Sequence, residues 1–388
     1  MPRHFFSKTP IAWRQLIKDK IRLGIAVAGI AFANILIFAQ MGFEASLFSS
    51  STAPHGILNA DLVIVNRHFE SLYSVKTFSR RRLHQALGFE GVESVSPLYI
   101  GLGSWKNPQT LHTQTILVFG TDPRTIAFKL PQINQNIYQL QKPDTVLFDR
   151  TSLPAFGPIA TLFKQQSIVE TELNGIKVRV GGLFSLGTSF AAYGNLITSD
   201  TTFLNLFPNT FISDIQLGLV KLKSNADIKQ VRENLETGLP NDVMIFTAST
   251  FEDAEKAYWA KATPIGFIFG LGVIVSFIVG IMVVYQIMYS DVVNHLPQYA
   301  TLKAMGYRDR YLIGVLVQES LILAVLGYIP GFALSLGLYK LAANSTMLPI
   351  FMTPQRSIAV FLLTVIMCLI SGTTAIKKLQ SADPADIF

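Results

Sequence analysis

Four long apolar stretches alternate with polar text, and they set the organisation of the chain. Leu23 to Phe43 carries no charge and is long enough to cross a hydrocarbon core of roughly 30 Å. Ile265 to Tyr289, Tyr311 to Ala342 and Ser357 to Ile376 are the other three. The third is too long for one perpendicular crossing, so tilt, or a bend at Gly327-Tyr328-Ile329-Pro330-Gly331, absorbs the excess. The first exceeds the apolar core of a signal peptide, about 7–15 residues. It reads as a retained span despite the small residues Ser49 to Ala53 that follow.

Between the first two stretches, Glu44 to Ala262 has the period-two and period-3.6 patterns of a soluble α/β domain. Leu62 to Val65 is a β-branched strand, Ser79 to Leu87 a helix with Leu83, Ala86 and Leu87 on its apolar side, and Val92 to Ile100 a second strand. The order recurs with a strand over Ile215 to Leu222, a helix opened by Asn225 or Asp227 and ended at Gly238-Leu239-Pro240, and a strand over Val243 to Thr247. Two strand–helix–strand units suggest one split, ferredoxin-like layer over 60–103 and 214–248. The insert, 104–213, is read as mainly β, with strands at Thr115–Gly120, Thr145–Phe148, Ile168–Leu173 and Ile176–Leu183. Asn174-Gly175 is a two-residue hairpin signal between the last two. Residues 250–262 read as a stalk helix capped by Thr250 and leading to Pro264. The expected fold class is an α-helical membrane protein with four transmembrane helices plus a large α/β extracytoplasmic domain between the first and second.

Composition agrees: 50% hydrophobic and 15% charged residues, against about 25% charged in soluble domains. Residues 1–22 interleave Arg3, Lys8, Arg14, Lys18, Lys20 and Arg22 with Ile11, Trp13, Leu16, Ile17 and Ile21, the pattern of an amphipathic helix on a membrane surface. That flank, the 290–310 loop and the tail 377–388 with Lys377-Lys378 are the basic short segments, whereas the 343–356 turn has Arg356 alone. The positive-inside rule therefore puts both termini in the cytoplasm and the 44–262 domain outside; the expected location is the inner membrane, with that domain in the periplasm. The net charge of +7 belongs to this membrane pattern and implies no nucleic acid. One cysteine, Cys368, allows no internal disulfide. No Gly-Lys dipeptide occurs, so there is no P-loop for ATP phosphates. Six scattered histidines show no metal spacing, and neither G-x-S-x-G nor H-E-x-x-H is present.

Three groups of residues carry candidate function. The first is Gln298-Tyr299-Ala300-Thr301-Leu302-Lys303-Ala304-Met305-Gly306-Tyr307, a short helix ended by glycine. It is too short to stand alone in water, so it is expected to be held by another protein. Leu302, Met305 and Tyr299 share a face. The second is Gln318 and Glu319 in the third span, where an ionisable residue is functional by default. The third is the glycine- and aromatic-rich stretch Gly181 to Asn195, in which Phe184, Ser185, Leu186, Gly187, Phe190 and Tyr193 are candidate partner contacts. Its alternative reading is a structured β-turn. Glycines 24, 29, 266, 270, 272 and 280, with Ala28, allow close helix approach.

The topology together with the 298–307 loop resembles the MacB/FtsX-type permeases of ABC exporters, and its wording is most like the cyanobacterial DevC subfamily. That family usually has glutamate where Gln298 stands. Gln318-Glu319 and the tail Asp383-Pro384-Ala385-Asp386 also look like family features. The resemblance implies a non-catalytic permease that binds no cofactor itself, with ATP held by a separate ABC ATP-binding subunit. It further implies a second copy of the chain, a membrane-fusion adaptor with a TolC-like outer-membrane channel, and export of glycolipid or another amphiphile by transmitted motion. The same architecture also serves FtsX-like signalling to a cell-wall hydrolase and lipoprotein release.

Overall fold

A computed structural model describes residues 11–166, 168–189, 191–295, 301, 305 and 309–380. Along the chain, α1 (Ile11–Lys18) and α2 (Lys20–Gly56) come first. Then follow β1 (Leu62–Asn66), β2 (Phe78–Ser79), α3 (Arg81–Leu87), β3 (Val92–Lys106) and β4 (Thr113–Thr121). Next are α4 (Pro131–Asn136), β5 (Thr145–Asp149), α5 (Ile159–Gln166), β6 (Val169–Leu173), β7 (Ile176–Phe184), β8 (Asn195–Ser199) and α6 (Asp200–Leu206). They are followed by β9 (Asp214–Ile215), β10 (Leu217–Leu222), α7 (Ile228–Gly238), β11 (Val243–Thr247) and α8 (Ala248–Ala257). The last helices are α9 (Pro264–Asn294), α10 (Asp309–Thr346) and α11 (Pro354–Gln380). The chain divides into two compact units, 46–265 with 344–349, and the remainder.

The mixed α/β unit is built on one nine-stranded sheet in the order β11-β1-β10-β3-β4-β8-β5-β7-β6. The first four strands pair antiparallel, with α3 and α7 lying between strands in sequence. The insert strands continue the same sheet, because β3 does not end at Ile100 but runs on to Lys106 and pairs with β4 throughout that extension. β6 also pairs with β3 at Trp105↔Leu173, so β3, β4, β8, β5, β7 and β6 form a closed ring. Ring closure removes open edges that would otherwise template wrong pairing. Two of its contacts are parallel, β4 with β8 and β5 with β7. Three helices, α4, α5 and α6, occupy a region read from sequence as mainly β. They are short and carry little 3.6-residue periodicity.

The strands are apolar on both faces because both faces are covered. Leu62 and Ile64 join one core with Leu83, Trp105, Val118, Phe203 and Leu235. Val63 and Val65 join the other with Leu72, Phe119, Ile133, Phe184 and Phe251. This alternation is the period-two rule applied to a doubly covered sheet. At the β6–β7 hairpin Asn174 has φ 52° and Gly175 φ 79°, the left-handed pair that a two-residue type I′ turn requires.

Helix caps decide one sequence expectation and correct another. Asp227 accepts from the Lys229 N–H and opens α7. Thr247, rather than Thr250, opens α8; Thr250 is the third helical position and returns its hydroxyl to the cap in a reciprocal capping box. Beyond α8, Tyr258–Ala262 is π-helical and Thr263 is extended at φ −112°, ψ 152°. The stalk helix is therefore separated from the second span at Thr263, and Pro264 is a first-turn residue of α9, where its missing N–H costs nothing.

The helical unit contains four helices long and apolar enough to cross a membrane, α2, α9, α10 and α11. The chain is a multi-pass membrane protein. Pro330 lies inside α10 without ending it. Small residues mark the crossings: a Cβ on Gly29 would meet Val283, and one on Gly272 would meet Gln40, each at 2.5 Å, while Gly280 sits against Met367. Gly24 and Gly270 face open space among the described residues. Within this bundle Asn34 Oδ1 accepts from Thr364 Oγ1 at 2.6 Å.

Candidate functional site

Of the 298–307 helix, Gln298, Tyr299, Ala300, Leu302, Lys303, Ala304, Gly306 and Tyr307 lie outside the described residues. The two that are described agree with a helical turn: the Met305 N–H donates to the Thr301 carbonyl at 3.0 Å, and the Met305 side chain is 63% exposed. An exposed methionine on a short helix is suited to docking against an apolar surface. On its N-terminal side α9 continues to Asn294, so residues 290–294, read as loop, extend the second span as helix.

Glu319 is fully buried in α10, while Gln318 beside it is half-buried. Glu319 lines a void of about 10 Å³ with Leu16, Asp19, Arg22, Met288 and Asp291, room for about one water. Both Glu319 carboxylate oxygens and Asp291 Oδ2 are buried without a hydrogen-bond partner. Asp291 Oδ1 lies 3.9 Å from Arg22 Nη1 and 3.4 Å from His295 Nδ1. Sequence reading singled out Glu319 as the lone intramembrane acid. It missed Asp291, which was placed in the polar loop, and so missed that three carboxyl groups, Asp19, Asp291 and Glu319, line one pocket with Arg22.

The 181–195 stretch is held from within. Phe184 ends β7 and is 1% exposed, which places it in the core and not at a contact surface. Asp149, fully buried, accepts from the Leu186 and Gly187 N–H groups at 3.1 and 2.9 Å and from Asn195 Nδ2 at 2.9 Å. Gly187 has φ 105°, a conformation that glycine adopts without strain. Arg150 Nε donates to Ser185 Oγ at 2.6 Å, and Leu186 packs on the core. Tyr193 is exposed, and Phe190 lies outside the described residues. Thr188 Oγ1 donates to the Met347 carbonyl at 3.0 Å, tying the loop to the segment between α10 and α11. The sequence signal for this organiser was slight: Asp149 is one acid at the end of an apolar strand, and nothing local ties it to a loop beyond residue 184.

Around the α/β unit the charged groups form surface pairs. Arg82 grips Asp242 through Nε and Nη2, at 3.0 and 2.8 Å. Asp122 accepts from Arg124, and this hydrogen bond holds its carboxyl below the usual carboxylate range. No cluster of metal-binding side chains occurs among the described residues.

Three solved structures resemble the chain at low identity. They are the periplasmic region of MacB from Actinobacillus actinomycetemcomitans, the extracellular domain of the noncanonic ABC-type transporter YknZ from Gram-positive bacteria, and a domain of a putative permease protein from Porphyromonas gingivalis. The first is 16% identical, with a TM-score of 0.35 over 51% of this chain and 93% of that one. The second is 12% identical, with 0.33 over 48% and 99%. The third is 13% identical, with 0.29 over 50% and 88%. Residues 266–384, which take in nearly all of α9 and the whole of α10 and α11, match the FtsX-like permease C-terminal family model.

Proposed function

We propose that the chain is the permease subunit of an ATP-driven ABC exporter that works by transmitted motion. The observation that carries this reading is the FtsX-like permease match over 266–384. The four helices long and apolar enough to cross a membrane support it. In this reading the 298–307 helix docks on a separate ATPase subunit, two copies of the permease flank the ATPase pair, and the α/β unit lies on the far side of the inner membrane. An adaptor and outer-membrane channel complete the path for glycolipid or another amphiphile. With Gln298 in place of the family's acid, docking rests on packing by Tyr299, Leu302 and Met305, with Lys303 as the polar contact.

The test is co-purification. Leu302→Asp together with Met305→Asp leaves membrane insertion intact and abolishes both capture of the ATPase subunit and stimulation of its hydrolysis. Undiminished capture by the double variant would refute the docking assignment. Affinity purification of the intact assembly, with identification of its proteins and bound lipid, separates export from hydrolase signalling.

A further inference from the structure

Glu255 is a carboxylate at 0% exposure in the last turn of α8. Burying such a group is costly unless its lone pairs are satisfied, and here they are. Oε2 accepts from the Leu72 backbone N–H and Oε1 from the Trp259 indole N–H, both at 2.8 Å. His55 Nε2, in the last turn of α2, stands 3.4 Å from the same Oε2, and its ring packs on Phe251 at 4.5 Å between centroids. Phe251, Glu255 and Trp259 follow i, i+4 spacing and present one face of the helix.

Both donors to Glu255 lead to Tyr73. Leu72 is its chain neighbour, and the Trp259 ring meets the Tyr73 ring edge-on at 6.1 Å. The Tyr73 hydroxyl, whose ionisation burial pushes well above the usual phenol range, remains a donor at neutral pH and reaches Ser189 Oγ at 3.0 Å. Ser189 is fixed by the Ala192 N–H at 3.0 Å. Its neighbour Thr188 grips the carbonyl of Met347, a non-glycine residue at φ 56° that persists only where its surroundings hold it. A path of contacts thus runs from Glu255, with the His55 ring beside it, through Leu72, Trp259 and Tyr73 to the 188–189 loop and Met347. It touches the three segments through which membrane helices join the α/β unit: the end of α2, α8, and residues 344–349.

We propose that Glu255 and Tyr73 are positioning residues of a clamp that makes these three segments move as one with the 185–194 loop. The proposal rests on the reading of the chain as a force-transmitting permease. In a merely stabilising role, loss of either side chain would loosen only its own neighbours. In a clamp, loss at one end is felt at the other.

Hydrogen–deuterium exchange on the full chain in detergent, well below its melting temperature, separates these cases. Glu255→Gln and Tyr73→Phe each raise exchange at residues 186–189 and 345–349 by about tenfold, the loss of one modest hydrogen bond's protection. The double variant exceeds neither single, because both act on one chain of contacts, while β5 stays protected in all three. Tyr73→Phe removes a single hydroxyl, so it remains informative if Glu255→Gln folds poorly. Changes confined to residues 72 and 251–259, or fully additive effects, overturn the clamp. Binding of the ATPase by Tyr73→Phe, measured separately, reports on the permease reading: a clamp confirmed by exchange in a chain that captures no ATPase would leave the clamp standing and remove that reading.

Discussion

Trp105 is the residue on which closure of the β ring depends, and its replacement is the sharpest test of the architecture. It is fully buried, faces Phe148 at 5.0 Å between ring centroids, donates its indole N–H to the Phe156 carbonyl at 3.2 Å, and pairs with Leu173 of β6. Truncation to alanine empties the largest side-chain volume in this core and costs about 3–5 kcal/mol. Trp105→Phe keeps most of the aromatic packing but leaves the Phe156 carbonyl unpaired, a loss of about 1–3 kcal/mol. Chemical unfolding of the detergent-purified chain, followed by far-ultraviolet circular dichroism, measures both. Hydrogen exchange adds the architectural test: amides 169–173 of β6 lose protection in Trp105→Ala more than those of β1. A loss below about 1 kcal/mol in Trp105→Ala, well under the range for buried large-to-small changes, would refute the reasoning. So would unchanged protection of β6.

Two further outcomes follow from charged groups. Glu319→Met replaces a buried carboxyl lacking hydrogen-bond partners by an apolar side chain of similar length, and raises the thermal midpoint by an amount corresponding to about 1–3 kcal/mol. If stability rises while stimulated ATP hydrolysis falls, the carboxyl acts in a state other than this one; a lowered midpoint contradicts the packing argument. Asp122 is held below the usual carboxylate range chiefly by its hydrogen bond from Arg124. Its stabilising contribution is therefore full above the unfolded value of about 3.9 and is lost as pH falls through the native value. Thermal midpoints of Arg124→Ala and the parent protein differ at neutral pH and converge in acid, and a pH-independent gap would show that the pair is not its cause.

Much of the element pattern was legible because local chemistry and tertiary packing agree. Leu62 to Val65 and Val243 to Thr247 are short β-branched runs, Asn174-Gly175 has a turn chemistry few dipeptides share, and the four apolar stretches are too long for anything but spans. What failed to show was settled by distant partners. The extension of β3 past Ile100, through Gly101 and Gly103, depends on β4 and on Leu173. Those glycines are there because Phe207 and Leu173 occupy the space a side chain would need. β8, entirely buried, was hidden inside a loop-like stretch of Gly, Ser and Thr. In the candidate site, Glu319 stood out as an acid in apolar text, whereas Asp291 did not, since it follows the polar Ser290 and looked like loop. Phe184 looked like a surface aromatic and is a core residue, because strand alternation, and not the glycine-rich neighbourhood, decides which way it points.

The strand order also bears on how the α/β unit can form at all. β1 lies between β10 and β11: Leu62 pairs with Val220 on one side and with Thr247 on the other. The first strand made is therefore completed only by the last two. Contacts this distant in sequence make folding slow, since loop-closure entropy must be met before pairing rewards it. Until residues 217–247 have emerged, Leu62 to Val65 is an apolar strand with both edges open, the kind of segment that pairs with the wrong neighbour. A chain cut after Gln216 would keep the strands of the ring and still be unable to shelter its own beginning.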